Sequence, residues 1–449
     1  MRGRQKRAIG AIAATAAIVF PFALSQPAGA ATRPLAVTAP AVHTESTTTA
    51  PAPGSYTAVT PYRVCDTRPA APGIANNQCN DDSTGAGRGP LTKGATRVIT
   101  VDSYGGLPAS GVTAVVVNVT GVAPTLNTYL AVFPDGDANP GTSNLNPSAG
   151  TALANLVEVG VSTAGKIDVF NVVGTVNIVV DIEGYVSAAS TGLYTPTSPL
   201  RICDTRPPGG GIVANRCDTG TPSPIGPGST RTFTVSGQGS PVPGTGVSAV
   251  VFNLTAIDPS VATVLTAFAA TTARPNASNL NLGAHTALPN RVIVPVTCTA
   301  GACSVSIWNG AGSVNIAVDL DGWFTTSSGT QFTPLATPAR ICDTQSGTPS
   351  CAEGKLGGGD VLNVEAAGVD GIPEDTGGAG SLVAIVANVT AFNATSPTVV
   401  TVYPGPDSPI HPGVSDLNPP INVATTNLAV VGVGSDGSVN LYNLSLIHI

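Results

Sequence analysis

Two pairs of acids recur at one setting in this 449-residue chain: Asp181 with Glu183, and Asp319 with Asp321, each just before Gly and an aromatic, Tyr185 or Trp323. Side chains at i and i+2 of a strand share a face, so such pairs have the residue types to act on a glycosidic bond or to hold calcium. An acid pair at a strand end is also ordinary turn chemistry, and that reading is preferred. Asp135, Asp137 and Asn139 place oxygen ligands at alternate positions, as the opening of a calcium loop does. The corresponding stretches, 270–277 and 405–413, lack that pattern, and no EF-hand loop is completed. No metal or other cofactor is therefore expected.

Arg63, Asp66 and Arg68 recur as Arg201, Asp204 and Arg206, then as Arg340 and Asp343 with Gln345 in place of the second Arg. Asp and Arg at this spacing can make charge-assisted pairs that fix a loop, or a polar clamp for a sugar or a carboxylate. The Gln argues against an indispensable ligand set. Aromatics recur at two places: Phe170, Trp308 and Tyr442, then Tyr185 and Trp323. Exposed rings stack on sugars, whereas buried rings fill cores. The strand pattern around the first set points to core packing, so Tyr185 and Trp323 are the carbohydrate candidates.

Catalysis is not expected. The four histidines, His43, His285, His411 and His448, form no recurring constellation, and neither G-x-S-x-G nor H-E-x-x-H occurs. The eight cysteines fall into local pairs: Cys65 with Cys79, Cys203 with Cys217, Cys298 with Cys303, and Cys342 with Cys351. An even count in an exported chain implies disulfides, and closing a 15-residue loop stabilises by about 3 kcal/mol in the chain-entropy model. Zinc spacing is absent, since no C-x-x-C pair or adjacent His occurs.

Export is read from residues 1–30: a basic start, an apolar run from Ala8 to Leu24 broken by Pro21, and the small-residue site Ala28-Gly29-Ala30. Residues 31–54, rich in Thr, Ala and Pro, read as a disordered linker. No later segment has the length of a membrane span. Beyond the signal, 15 basic residues face 26 acidic ones, and no basic run remains. Nucleic acid is thereby a poor partner, because phosphate binding needs clustered Lys and Arg. With 52 Gly, 39 Pro and only 10% charged residues, the chain is heavily punctuated by turns.

The elements that must position these groups are three copies of one unit. Arg63–Arg68 recurs 138 and 139 residues apart, and the run Val115–Thr120 recurs at 250–255 and 385–390. Ser143-Asn144-Leu145-Asn146 returns as 278–281 and 415–418, and an aromatic followed by Asn closes the order at 170–171, 308–309 and 442–443. Each copy is a whole domain rather than a solenoid unit. Runs of Val, Ile and Thr at 128–134, 153–161, 166–172 and 176–186, separated by Gly, Pro and Asn, predict strands and no helix. Val115, Val117 and Val119 form one apolar face, and Val116, Asn118 and Thr120 form the other. The expected fold is all-β, three tandem β-sandwich-like modules at 55–190, 191–328 and 329–443.

The order R-x-x-D-T-R, V-x-N-V-T, S-N-L-N, aromatic-Asn, V-D-x-x-G-aromatic resembles a tandem β module of secreted actinobacterial proteins, over about residues 56–443. That resemblance implies an extracellular, loosely cell-envelope-associated protein and no established activity. Cys65, Cys203 and Cys342 depart from it, standing where an aliphatic residue is expected.

Residues 444–449, Leu-Ser-Leu-Ile-His-Ile, read as the translation of a sequencing adapter, which leaves the third module truncated before its last strand. The functional expectation is a secreted, non-catalytic repeat protein that binds cell-wall or extracellular polysaccharide, where duplicated weak sites gain avidity. Its rivals are an accessory region of a secreted hydrolase whose catalytic domain lies elsewhere, and a purely structural stalk or adhesin.

Overall fold

The computed structural model describes residues 52–69, 78–79, 89–208, 217, 222–237, 239–336, 338–347, 351, 353–375, 381–406 and 411–445. The expected signal, nearly all of the linker and residues 446–449 lie outside the described residues. Strands and turns make up the described chain, with no helix among the described residues, so none long and apolar enough to cross a membrane.

The first set of strands is β1 (Ser55–Asp66), β2 (Gln78–Cys79), β3 (Thr96–Thr100), β4 (Val112–Val122), β5 (Leu130–Pro134), β6 (Ala152–Gly160), β7 (Lys166–Asn171) and β8 (Asn177–Ser187). The second is β9 (Leu193–Asp204), β10 (Thr230–Thr234), β11 (Val247–Ile257), β12 (Thr263–Ala269), β13 (Leu280–Leu282), β14 (Ala287–Pro295), β15 (Thr297–Thr299), β16 (Ala302–Asn309) and β17 (Asn315–Thr325). The third is β18 (Val361–Glu365), β19 (Ala384–Ala391), β20 (Thr398–Pro404), β21 (Thr425–Gly432) and β22 (Ser438–Ser445).

Each set makes an inner and an outer antiparallel sheet. In the first, the inner order is β2-β1-β8-β4-β6 and the outer is β3-β7-β5; in the second, β14-β11-β17-β9 lies inside and β10-β16-β12-β13 outside. The outer sheet of the third set, β18-β22-β20, is equivalent, but its inner sheet is the pair β19-β21. Alternation fills the space between the layers: Val115, Val117 and Val119 of β4 join Ile167, Val169, Ile178 and Val180 in one dry core. Among the described residues, the main apolar clusters of the first and second sets gather 21 and 26 buried residues, and that of the third gathers seven.

The recurring sequence signals are structural pins. Asn171 accepts from the Thr128 hydroxyl at 2.7 Å and donates to Leu91 O at 3.1 Å and Gly174 O at 3.1 Å, tying three loops. Asn309 repeats this with Thr263, Ile225 and Gly312. Asn144, Asn279 and Asp416 each accept the backbone N–H of the strand beside them, from Val132, Ala267 and Val402 at 2.7, 2.7 and 2.6 Å. The Gly before Tyr185 and Trp323 has a steric cause. A Cβ on Gly184 would stand 2.1 Å from Tyr56 Oη, and one on Gly322 2.4 Å from Tyr194 Oη.

The three strand sets belong to one compact unit and close on one another. Strands β6, β14 and β21 meet at the centre. The inner faces of the sheets share a fourth apolar core, with Val116, Leu156, Val251, Ile293, Leu428 and Val430 among its members. Thus the second face of β4, Val116 with Asn118 and Thr120, is buried against other modules rather than turned to solvent.

Candidate functional site

The Arg/Asp motif is built as a clamp within each module. Arg63 reaches the carboxylate of Asp181 on β8 through Nε at 2.8 Å and Nη2 at 3.0 Å. Asp66 receives Arg68 at 2.9 and 2.6 Å and caps the Arg68 N–H at 3.1 Å. The second copy repeats these contacts with Arg201, Asp204, Arg206 and Asp319. Between the charges, Thr67 and Thr205 accept the N–H of Ile178 and Ile316, each at 2.8 Å, so the motif pins the final strand of its module. In the third copy Arg340 meets Asp343 at 3.0 Å, and Gln345 keeps the backbone cap at 2.9 Å.

Ligand roles for Asp181 and Asp319 are corrected by this geometry. Both carboxylates are fully buried and engaged by Arg63 or Arg201, out of reach of a sugar in solvent. Arg63, Asp66, Arg68, Arg201, Asp204 and Arg206 are spent on the same internal network. Asp181 and Glu183 do share a face, but Glu183 takes a different partner, accepting from Asn279 Nδ2 of the second module at 2.8 Å. Burial, then Asp181, pushes Glu183 up to about 8.

The carbohydrate expectation for Tyr185 and Trp323 is also corrected. Trp323 is 9% exposed and belongs to the core of the second module, and Tyr185 packs on the core of the first. A bulge after Ile182 and after Leu320 shifts the register by one residue, which turns the following ring from the acid face to the core face. The other set of rings stands in the opposite place. Ile167 and Val169, like Val305 and Ile307, point inward, so Phe170 and Trp308 lie half-buried on the outer faces of β7 and β16, as Tyr442 does on β22.

Two of the outer rings have beside them a residue that precedes Pro, Arg274-Pro275 at Trp308 and His411-Pro412 at Tyr442. The Arg274 guanidinium lies 4.0 Å from the Trp308 ring centroid, and His411 stacks on Tyr442 with centroids 3.8 Å apart. Around Trp308 the outer face carries Thr230, Thr232 and Ser306, the last two hydrogen-bonded at 2.7 Å. Around Tyr442 it carries Asn363 and Asn440, joined at 3.0 Å. An aromatic face beside fixed amide and hydroxyl groups is a combination suited to a sugar ring.

Calcium gains no support from the loop at 135–141. Asn139 Oδ1 is already taken by Gly141 N–H at 2.9 Å, and no group of three metal-ligating side chains occurs among the described residues. Asp135 and Asp137 instead act on Asp168 of β7, whose carboxyl is pushed up to about 7 by burial and then by those two charges. The four expected disulfides, Cys65–Cys79, Cys203–Cys217, Cys298–Cys303 and Cys342–Cys351, are all formed.

The largest polar feature was not anticipated. Asn118 of the first module donates to Ser278 O of the second, Asn253 of the second to Ser415 O of the third, and Asn388 of the third to Ser143 O of the first. A second cycle runs through Asn290, Asn427 and Asn155, whose Oδ1 atoms accept the N–H of Leu156, Arg291 and Leu428 at 3.0, 2.9 and 3.2 Å. Where the first and third modules place Leu156 and Leu428, the second places the fully buried Arg291. It bonds Asp321 of its own module, Asp416 of the third and the Leu428 carbonyl. Burial pushes the Asp321 carboxyl up, and the charge of Arg291 beside it opposes that shift. Recurrence of Asn155, Asn290 and Asn427 mid-strand was the available signal.

No family model matches the chain, and no curated protein matches it. Among solved structures it is similar to a chain from the archaeal virus described by its triple jelly roll fold and turret assembly, at 10% identity and TM-score 0.19, covering 87% of this chain and 88% of that one. A chain of Sulfolobus turreted icosahedral virus gives 11% identity and TM-score 0.17, covering 78% and 82%. The fold described above rests on strand pairing and draws nothing from these likenesses.

Proposed function

We propose that this is a secreted, non-catalytic protein that binds cell-envelope or extracellular polysaccharide through the outer sheets of its three modules. The observation that carries the reading is the recurrence of a half-buried ring on every outer sheet, Phe170, Trp308 and Tyr442, beside polar side chains. Rings of this kind gain apolar contact with a sugar face while neighbouring amides and hydroxyls bond its hydroxyls. Three such faces on one body supply avidity from weak sites. The four disulfides and the low charge fit an oxidising, extracellular setting.

A structural role is favoured by a separate observation, the buried cycle of Asn and Arg side chains that joins the modules. A rigid spacer would need that cycle and would not need the rings. Co-sedimentation of the mature chain with peptidoglycan and with common insoluble polysaccharides, with and without chelator, separates the two. Saturable, chelator-insensitive retention on a glycan is expected, and no retention on any of them leaves the spacer.

A further inference from the structure

The outer faces of the modules differ in what lies over their rings. On the second, the Arg274 guanidinium covers the Trp308 ring; on the third, the His411 imidazole lies parallel to the Tyr442 ring, with planes 8° apart. Arg274 and His411 hold the same place in their repeats, four residues before Ser278 and Ser415. Pro275 and Pro412 follow them and bias their backbone toward extended conformations, so each planar group is held in position before a ligand arrives. Arg274 is exposed, and its single hydrogen bond among the described residues goes to the Pro275 carbonyl at 3.5 Å. No carboxylate among the described residues pairs with it. His411 likewise meets only the Pro412 carbonyl among the described residues, through Nδ1 at 3.4 Å.

Resting on the glycan-binding reading, we propose that the outer faces of the second and third modules select acidic sugars, with the carboxylate of a hexuronate residue bound at Arg274 and at His411. In a hexuronate the carboxylate is one bond from a pyranose ring that carries an apolar C–H face. Charge and stacking surface are therefore adjacent, as the guanidinium and the Trp308 ring are at 4.0 Å. Guanidinium offers a carboxylate two parallel N–H groups, and imidazole offers one. Thr230 and the Thr232–Ser306 pair stand beside Trp308, and the Asn363–Asn440 pair beside Tyr442, to bond the sugar hydroxyls. A phosphodiester chain is the poorer match, because it needs clustered Lys and Arg, whereas one planar group stands over each ring.

The first module supplies the contrast. Asn139 holds the place of Arg274, but its Oδ1 accepts the Gly141 N–H at 2.9 Å. Asp168 shares the outer face of β7 with Phe170, and Asp135 and Asp137 lie close enough to act on its charge. A uronate is repelled by such a face, which confines acid selection to the other two modules.

The test measures retention of the mature chain on immobilised polygalacturonate and on the same polymer fully methyl-esterified, which keeps every ring and removes the charge. Binding about tenfold or more tighter to the acid form is expected, and salt should weaken it. Arg274→Gln should remove most of that difference, and Arg274→Lys, which keeps the charge without the planar fork, should restore part of it. His411→Ala should weaken binding to the acid form about threefold. Equal retention on acid and ester, or an unchanged difference in Arg274→Gln, overturns acid selection and leaves the glycan reading standing. Retention on no polysaccharide at all overturns both. Equal, Arg274-dependent retention on immobilised polyglycerol phosphate overturns the choice of a carboxylate.

Discussion

Asn290 and Asn118 lie on different modules, yet Asn290 Nδ2 donates to Asn118 Oδ1 at 3.0 Å. The same relationship joins Asn427 to Asn253 at 2.8 Å and Asn155 to Asn388 at 3.0 Å, so the last interface returns to the first module. A closed cycle of this kind couples modules that a simple tandem array would leave nearly independent.

Asn118→Ala removes two bonds at once, to the half-buried Ser278 carbonyl and from the buried Asn290 amide. A loss of about 1–3 kcal/mol is expected from the unsatisfied groups. Asn253→Ala should cost a similar amount for the same reason. Urea unfolding followed at probes in separate modules checks this, and a loss felt only in the mutated module would contradict the coupling.

Arg291→Leu places in the second module the residue type of Leu156 and Leu428, but strands Asp321 and Asp416 in the interior. Breaking a buried ion pair from one side costs about 3–5 kcal/mol. Adding Asp321→Asn and Asp416→Asn should restore most of the stability, because Asn144 and Asn279 already serve at the position of Asp416. Failure of the triple variant to recover would show that Arg291 packs the centre rather than balancing charge.

Much of the module was legible because its signals are local. Strand runs and cysteine spacing depend on neighbouring residues, and the disulfides and the strands β5, β6, β7 and β8 fall where those signals place them. Alternation identified the polar face of β4 but not what it meets, since the burial of Asn118 arises only when a second module docks. Ring placement was misjudged for two reasons. The bulge at Asp321 that buries Trp323 is invisible to a period-two reading. The parity of Val305 and Ile307, which does turn Trp308 outward, was in the sequence to be used.

Stability should fall from mildly acidic to alkaline pH. Burial, then Asp181, holds Glu183 at about 8 in the folded chain, against an ordinary value of 4.5, and burial likewise brings Glu158 to about 8. Between these limits the folded state binds more protons than the unfolded one, so their contribution is full below about 4 and lost as pH rises through 8. Asp204 acts oppositely: despite its burial, Arg206 and Arg201 hold it below 3.8, so its contribution is lost on strong acidification. A urea midpoint highest near pH 5 and lower at pH 9 is expected, with a shallower fall in Glu183→Gln. A midpoint that rises from pH 5 to 9 would contradict the assignment.

The central claim, glycan binding by the outer rings, is tested most directly by measuring retention of Trp308→Ala, Tyr442→Ala and their double variant on an insoluble polysaccharide that binds the parent chain. Each lost ring is expected to weaken binding about fivefold or more, at the scale of about 1 kcal/mol for an aromatic contact, with little change in melting temperature. Unchanged retention in the double variant, at unchanged stability, would contradict the account.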